Sequence, residues 1–222
     1  MADYSKLDHW SLKAQKEGYP ARSVYKLKEM DEKFGLLKHN RQSPRQSPGQ
    51  QPFKVLDLGA APGSWSLYVL RKFPVSTEQA NSNTQAFLVS IDLAPLSRQY
   101  DQGLFDKPEF LFIQGDFTHP AIQETILSHG PYNLIISDAA PATTGNRSVD
   151  TLRSLALAET ALDYAGNVLV KGGKLVLKVF QGGDTGNLLK TMRGLFESAR
   201  SFKPQACRSE SFETYYLGLG KK

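Results

Sequence analysis

The amino-acid sequence predicts an α/β fold in which a mostly parallel sheet carries helices on both faces. Two observations support this prediction. Short apolar runs alternate with helical stretches along most of the chain, which is typical of a parallel sheet covered by helices. The 222 residues, 40% of them hydrophobic, suit one domain with a sizeable core and are too few for two full domains. We therefore predict a single domain over residues 1–222.

The elements are predicted in chain order from the spacing of apolar residues. Residues 23–34 have the spacing of an amphipathic helix, and Ser23 is a candidate for its N-cap. Strands are predicted at residues 54–58, 87–91, 110–114, 134–137, 174–179 and 214–219. Helices are predicted at residues 64–73, 121–127, 151–169 and 184–196. Two polar segments, residues 38–52 and 75–85, contain little to bury and are predicted to be flexible insertions outside the core.

The composition indicates which partners and which cellular setting to expect. A net charge of +5 and an isoelectric point near 9.2 favour polyanionic partners without requiring them. Cys207 is the sole cysteine, so no intrachain disulfide can form, and a reduced cytoplasmic setting is expected. No run is long and apolar enough for a membrane span, and the histidines show no metal-ligand spacing. We expect no membrane contact, no metal and a monomer.

A glycine turn follows the first predicted strand and precedes a helix. Gly59 and Gly63 lie in this turn, where glycine lets a ligand approach the backbone closely. The dinucleotide spacing G-x-G-x-x-G is absent, and Pro62 removes one N–H that could bind a pyrophosphate. The turn therefore favours a nucleoside cofactor without phosphates over NAD.

Two acidic residues follow the next two predicted strands. Asp92 ends the second strand, where an acid can accept hydrogen bonds from ribose hydroxyls, and Asp116 follows the third. Either residue alone could simply cap a turn. Their occurrence at successive strand ends beside the glycine turn favours a cofactor site.

Six segments, spread over nearly the whole chain, carry a family resemblance. They are residues 21–27, 57–65, 115–117, 137–141, 178–182 and 203–215. In sequence and order they resemble the FtsJ/RlmE family of ribosomal RNA 2′-O-methyltransferases. The resemblance implies a Rossmann-like S-adenosylmethionine-dependent methyltransferase fold, with a seven-stranded sheet whose last strand is antiparallel. It also implies S-adenosylmethionine as cofactor, with contacts from Gly63, Trp65, Asp92, Asp116 and Asp138 in addition to Gly59 of the turn.

The same resemblance implies a catalytic Lys-Asp-Lys-Glu tetrad. Its members fall on Lys26, Asp138, Lys178 and Glu213. Glu210 is the alternative for the last position, but Glu213 fits better because Tyr215 follows it at the family's spacing, although Phe212 stands where relatives commonly carry arginine.

The residue types of the tetrad suit the reaction. A ribose 2′-hydroxyl is a very weak acid, so its methylation needs a base and tight positioning. Lys178 ends an apolar strand, where burial beside a second ammonium would favour a neutral amine that acts as the base. Taken singly, each of the four could be an ordinary surface or turn residue.

The predicted partner is RNA. The N-terminal segment, residues 1–37, interleaves cations with aromatic residues, which suits phosphates and unstacked bases, although the same pattern fits a packed helix with a charged face. Residues 180–182 resemble the large-subunit branch of the family, which implies a uridine in the A-loop of 23S rRNA, on the large ribosomal subunit, as the target. The alternatives are a tRNA 2′-O-methyltransferase of the same family, a nucleotide-dependent oxidoreductase, and a non-catalytic RNA-binding or ribosome-assembly factor.

Overall fold

A seven-stranded sheet organises the structure, which is a computed structural model that describes residues 8–38, 52–73, 86–182, 185–208 and 210–222. The strands are β1 (Phe53–Leu58), β2 (Ala86–Asp92), β3 (Phe110–Gln114), β4 (Tyr132–Ser137), β5 (Leu169–Phe180), β6 (Phe196–Phe202) and β7 (Glu213–Lys221). Their order is β3-β2-β1-β4-β5-β7-β6. The first five strands pair in parallel, whereas β7 runs antiparallel to both β5 and β6. The mostly parallel seven-stranded sheet predicted from the sequence is confirmed.

The described residues also form six helices and a short 3₁₀ turn, of which the first two helices precede β1. They are α1 (His9–Lys16), α2 (Val24–Phe34), α3 (Ser64–Lys72), the 3₁₀ turn Leu104–Asp106, α4 (Pro120–His129), α5 (Arg147–Val168) and α6 (Thr185–Leu195). None of the helices in the described ranges is both long enough and apolar enough to cross a membrane.

The sheet has a separate hydrophobic core on each face because successive strand residues point to opposite sides. Val55 and Tyr215 belong to the core under α1, α2 and α3, whereas Leu56 and Leu58 belong to the core under α4, α5 and α6. The central strands β1 and β4 are buried on both faces and read as nearly continuous apolar runs, which is why the predicted bounds match them closely.

The seventh strand, β6, has no counterpart among the strands read from the pattern. Phe196–Phe202 contains two phenylalanines among polar residues and lies at the edge of the sheet, paired only with β7. Only Phe196 of this strand is buried, so its sequence carries a weak apolar signal. The helix predicted over residues 184–196 therefore ends at Leu195, one residue before β6 begins.

Ser23 lies at the predicted N-cap position of α2, but it does not cap the helix through its side chain. Ser23 has a helical backbone conformation and makes no capping hydrogen bond through its side chain. Its carbonyl oxygen instead accepts hydrogen bonds from the backbone of Lys26 and from the indole of Trp65. The predicted insertions fall almost entirely on residues 39–51 and 75–85, which lie outside the described residues.

Candidate active site

The glycine turn brings the carboxyl ends of β1 and β4 into close contact. Gly59 has a φ of +76°, and a Cβ atom there would lie 2.5 Å from the Cα of Ala139. Gly63, with a φ of +104°, stands directly before α3. Only glycine combines the left-handed conformation of Gly59 with this backbone approach, so the turn leaves open space beyond the strand ends.

A cavity of about 570 Å³ occupies that space. Four of the predicted cofactor residues line it: Gly59, Asp92, Asp116 and Asp138. Further lining comes from Ala61, Leu93, Gly115, Phe117, Thr118, 139–142, Arg153, Ala156 and Leu157. The sequence analysis did not single out Arg153 or Leu157. The apolar pattern predicts a helix in this region, but it does not show which side of the helix faces the cavity.

Asp92 and Asp116 both cap turns and line the cavity. The two carboxylate oxygens of Asp92 accept backbone N–H groups from Ala61 at 2.9 Å and Ala94 at 2.8 Å. Asp116 accepts hydrogen bonds from the backbone N–H and hydroxyl of Thr118 at 2.8 and 2.7 Å. Because each carboxylate oxygen has two lone pairs, these bonds leave acceptor capacity for a ligand. A role in capping a turn is therefore compatible with a role in binding a cofactor for both residues.

Trp65 and Gly63 do not line the cavity. The Trp65 side chain is buried, and its indole N–H donates to the Ser23 carbonyl at 2.8 Å. Its ring lies 5.9 Å from that of Tyr215. The Trp65 side chain therefore joins α3 to α2 and β7.

The predicted tetrad is brought together from four separate elements. Lys26 Nζ on α2 lies 2.7 Å from Glu213 Oε1 at the start of β7. Lys178 Nζ near the end of β5 lies 3.0 Å from Asp138 Oδ1 and also donates to the Asp138 backbone carbonyl. All four side chains are largely buried, with exposed fractions between 8% and 17%. The alternative of Glu213 and Lys178 as ordinary surface residues does not fit this burial.

Neighbouring opposite charges shift the pKa values of Lys26 and Asp138. Burial disfavours the ammonium of Lys26, but the carboxylates of Asp138 and Glu213 outweigh burial and raise its pKa. Burial likewise disfavours the charged form of Asp138, yet Lys178 and Lys26 hold its pKa below the usual range. The site is therefore a compact group of alternating charges at the edge of the cavity.

A buried carboxyl that the sequence reading did not single out lies beneath the glycine turn. Asp57 is fully buried, and one of its oxygens accepts the Ser66 hydroxyl at 2.7 Å while the other has no hydrogen-bond partner among the described residues. Burial raises the pKa of Asp57 to about 7, and the charges of Asp138 and Asp92 add to this effect against the Ser66 hydrogen bond. Within the described part of the chain, no cluster of His, Cys, Asp and Glu residues suits a metal ion.

Fold and site together define a methyltransferase of the Rossmann-like class. A Plasmodium falciparum protein described as a ribosomal RNA methyltransferase shares this architecture with a TM-score of 0.67, at 25% identity, over 91% of this chain and 98% of that one. The human methyltransferase-like protein 13, solved with S-adenosylhomocysteine, shares the fold with a TM-score of 0.51 at 13% identity, over 76% of this chain and 72% of that one.

The chain belongs to the FtsJ-like methyltransferase family, whose model matches residues 19–221. It is 48% identical to the ribosomal RNA large subunit methyltransferase E of Treponema denticola, over 99% of this chain and 97% of the relative. The protein of the same name from Oleidesulfovibrio alaskensis is 44% identical, over 97% of this chain and 92% of the relative. The family resemblance inferred from the six sequence segments is confirmed.

Proposed function

We propose that the protein methylates a ribose 2′-hydroxyl in RNA with S-adenosylmethionine as the methyl donor. One observation supports this most directly: the Lys26–Glu213 and Lys178–Asp138 ion pairs converge at the edge of the cavity, to which Asp138 also contributes. An oxidoreductase would use the cavity without needing these four residues. A non-catalytic factor would have no need to bury two ammonium groups against two carboxylates, which costs desolvation energy.

The cavity fits the proposed cofactor in size and in chemistry. Its volume of about 570 Å³ lies in the range of small-molecule sites. Asp92 and Asp116 offer acceptors for hydroxyl and amino groups, Leu93 and Leu157 offer apolar walls for a base, and Asp138 offers negative charge for a cation. When bound, S-adenosylmethionine supplies a methyl group made electrophilic by the attached sulfonium.

The residues of the tetrad have distinct roles in this proposal. In its neutral form, the Lys178 amine accepts the proton of the 2′-hydroxyl as the oxygen bonds to the methyl carbon and the bond from that carbon to sulfur breaks, while Asp138 holds the amine in place. A cation placed in the cavity beside Asp138 would compete with Lys178 for this carboxylate. Lys26 donates a hydrogen bond to the attacking oxygen, and Glu213 positions Lys26.

The proposed target is a uridine in the A-loop of 23S rRNA within the large ribosomal subunit. Relatives named ribosomal RNA large subunit methyltransferase E, up to 48% identical to this chain, support this target over tRNA. The described part of the N-terminal segment presents Lys13 over the rings of Trp10 and Tyr25, at 5.4 and 4.8 Å. We propose that this segment contacts RNA phosphates, and that the enzyme acts as a cytoplasmic monomer.

Two measurements test the proposal. Large ribosomal subunits from a strain lacking the gene should accept tritiated methyl groups from S-adenosylmethionine in the presence of the protein, and mass spectrometry should place the mark on a 23S rRNA ribose. Lys178→Ala should abolish transfer and change cofactor affinity only a few-fold. Lys171→Ala, at an exposed position near the start of the same strand, serves as the control. A mark found on tRNA alone would contradict the substrate assignment, and full activity of Lys178→Ala would contradict the mechanism.

A further inference from the structure

A cation and two aromatic rings form a stack beside the tetrad. The guanidinium carbon of Arg147, the first residue of α5, lies 5.1 Å from the ring centre of Phe212. The Phe212 ring in turn packs against Phe180, with centres 4.7 Å apart and planes inclined by 59°. We call these three residues the Arg147 stack.

Hydrogen bonds fix the backbone at both ends of the Arg147 stack. Asn146 caps α5 by accepting hydrogen bonds from two backbone N–H groups of its first turn, at 3.1 and 3.3 Å. The Gln181 N–H donates to the Phe212 carbonyl at 2.8 Å, and Phe180 is buried. The Arg147 side chain is exposed and forms no ion pair among the described residues. The stack therefore holds an uncompensated positive charge in a defined place at the surface.

The stack borders the tetrad directly. Phe212 precedes Glu213 in the chain, so their Cα atoms lie about 3.8 Å apart. Phe180 pairs with Glu213 in the β5–β7 register and lies two residues beyond Lys178. Lys26 belongs to α2 and Arg147 to α5, and these helices cover opposite faces of the sheet. The aromatic end of the stack is therefore next to Glu213 in both the chain and the sheet.

We propose that the Arg147 stack binds the phosphate of a nucleotide adjacent to the methylated ribose, with Phe212 acting as a positioning residue for the guanidinium. This inference rests on the proposed RNA methyltransferase function. Arginine suits the role because its planar fork can bind two phosphate oxygens at once while its face stacks on an aromatic ring. A phosphate is favoured over a protein carboxylate because every RNA substrate must carry one on each side of the ribose that enters the tetrad.

Methyl-transfer kinetics with purified large subunits from a strain lacking the gene test this proposal. For Arg147→Gln, we expect the KM for the subunit to rise about tenfold and kcat to stay within about threefold, because a phosphate contact contributes to substrate binding. The affinity for the subunit falls as the salt concentration rises, and removal of one phosphate contact should make the slope of log affinity against log salt about 0.7 less negative. Arg193→Gln removes the same charge from an exposed position in the last turn of α6, a helix that carries no residue of the tetrad or of the stack, and should leave KM unchanged.

Two further variants separate positioning from folding. Phe212→Leu keeps an apolar contact with Phe180 but removes the aromatic face, so it should raise KM by a smaller factor than Arg147→Gln. If Phe212 acts through Arg147, the double variant should match Arg147→Gln alone, whereas independent structural damage would multiply the two effects. If the wild-type protein transfers methyl groups but Arg147→Gln and Arg193→Gln have equal KM values, the proposed role of the stack is overturned and the proposed function stands. Absence of methyl transfer by the wild-type protein would instead overturn the proposed function.

Discussion

Tyr215 donates its phenolic hydroxyl to Asp138 Oδ1 at 2.7 Å, and the same carboxylate oxygen lies 3.0 Å from Lys178 Nζ. One oxygen atom thus connects β7, β4 and β5 at the point where the two ion pairs meet. Tyr215 is fully buried, and burial together with the Asp138 charge raises its pKa, so the phenol remains a hydrogen-bond donor. We infer that Tyr215 orients the carboxylate that holds Lys178.

The first prediction concerns this hydrogen bond. Tyr215→Phe should lower kcat for methyl transfer by about 10- to 100-fold, because a hydrogen bond to a charged group contributes about 1.5–3 kcal/mol. The ring still fills its place in the core, so the fold should persist. Tyr216→Phe, which removes a hydroxyl on the opposite face of the sheet, is the matched control. Equal rates for the two variants would exclude a role for the Tyr215–Asp138 bond.

The second prediction distinguishes the two glutamates near the start of β7. Glu213→Gln should reduce methyl transfer by at least about tenfold, because Lys26 loses the charged partner that positions it in a largely buried site. Glu210 is exposed, so Glu210→Gln should stay within about twofold of the wild type. Thermal unfolding of both proteins checks that each is folded before the rates are compared. The reverse ranking would transfer the tetrad position to Glu210.

The sheet could be predicted from the sequence where its strands are buried on both faces. β1, β2 and β4 are such strands, and their apolar runs need no tertiary information to be recognised. The half-exposed edge strand β6 gave no comparable signal. Local pattern therefore located the centre of the sheet, the apolar edge strand β3 and the glycine turn, and it failed at the polar edge strand β6, where pairing with β7 determines the conformation.

Some residues of the candidate site could also be predicted from local sequence pattern, whereas others could not. The acids after β2 and β3 could be placed at the cavity because parallel strands end at a common edge. The pairing of Lys26 with Glu213 joins opposite ends of the chain, and no spacing rule connects them, so their inclusion depended on the family resemblance. The Tyr215–Asp138 bond and the stacking of Arg147 on Phe212 depend on the register of β7 and on the start of α5, which only the coordinates define.

The third prediction follows from the buried carboxyl beneath the glycine turn. The pKa of Asp57 is about 7 in the folded protein, whereas an aspartate in an unfolded chain titrates near 3.9. The folded state holds this proton more tightly, so the stabilising contribution is complete below about pH 4 and is lost as the pH rises to about 7. The free energy of unfolding of the wild type, relative to Asp57→Asn, should fall by roughly 2–3 kcal/mol between pH 5 and pH 8.

Urea unfolding at a series of pH values measures this difference. Asp163→Asn, at an exposed position on α5, is the control, and its difference from the wild type should not change appreciably over the same range. A constant difference between the wild type and Asp57→Asn would show that Asp57 is ionised throughout. Saturating cofactor, if its positive charge reaches the Asp138 region, should reduce the pH dependence of the wild type.

The fourth prediction separates backbone strain from steric closure of the cavity. Gly59→Ala places a Cβ atom 2.5 Å from the Cα of Ala139, so the loops after β1 and β4 must separate in addition to tolerating a φ of +76°. Gly172→Ala has a similar φ of +77° but meets no atom within 4 Å, so it should cost only the left-handed strain of about 1–2 kcal/mol. Calorimetric titration with S-adenosylhomocysteine should show at least a tenfold loss of affinity for Gly59→Ala and none for Gly172→Ala. Both variants carry the left-handed backbone strain, and only Gly59→Ala adds the steric contact. Unchanged affinity in Gly59→Ala would therefore mean that the close approach of β1 and β4 does not shape the cofactor site.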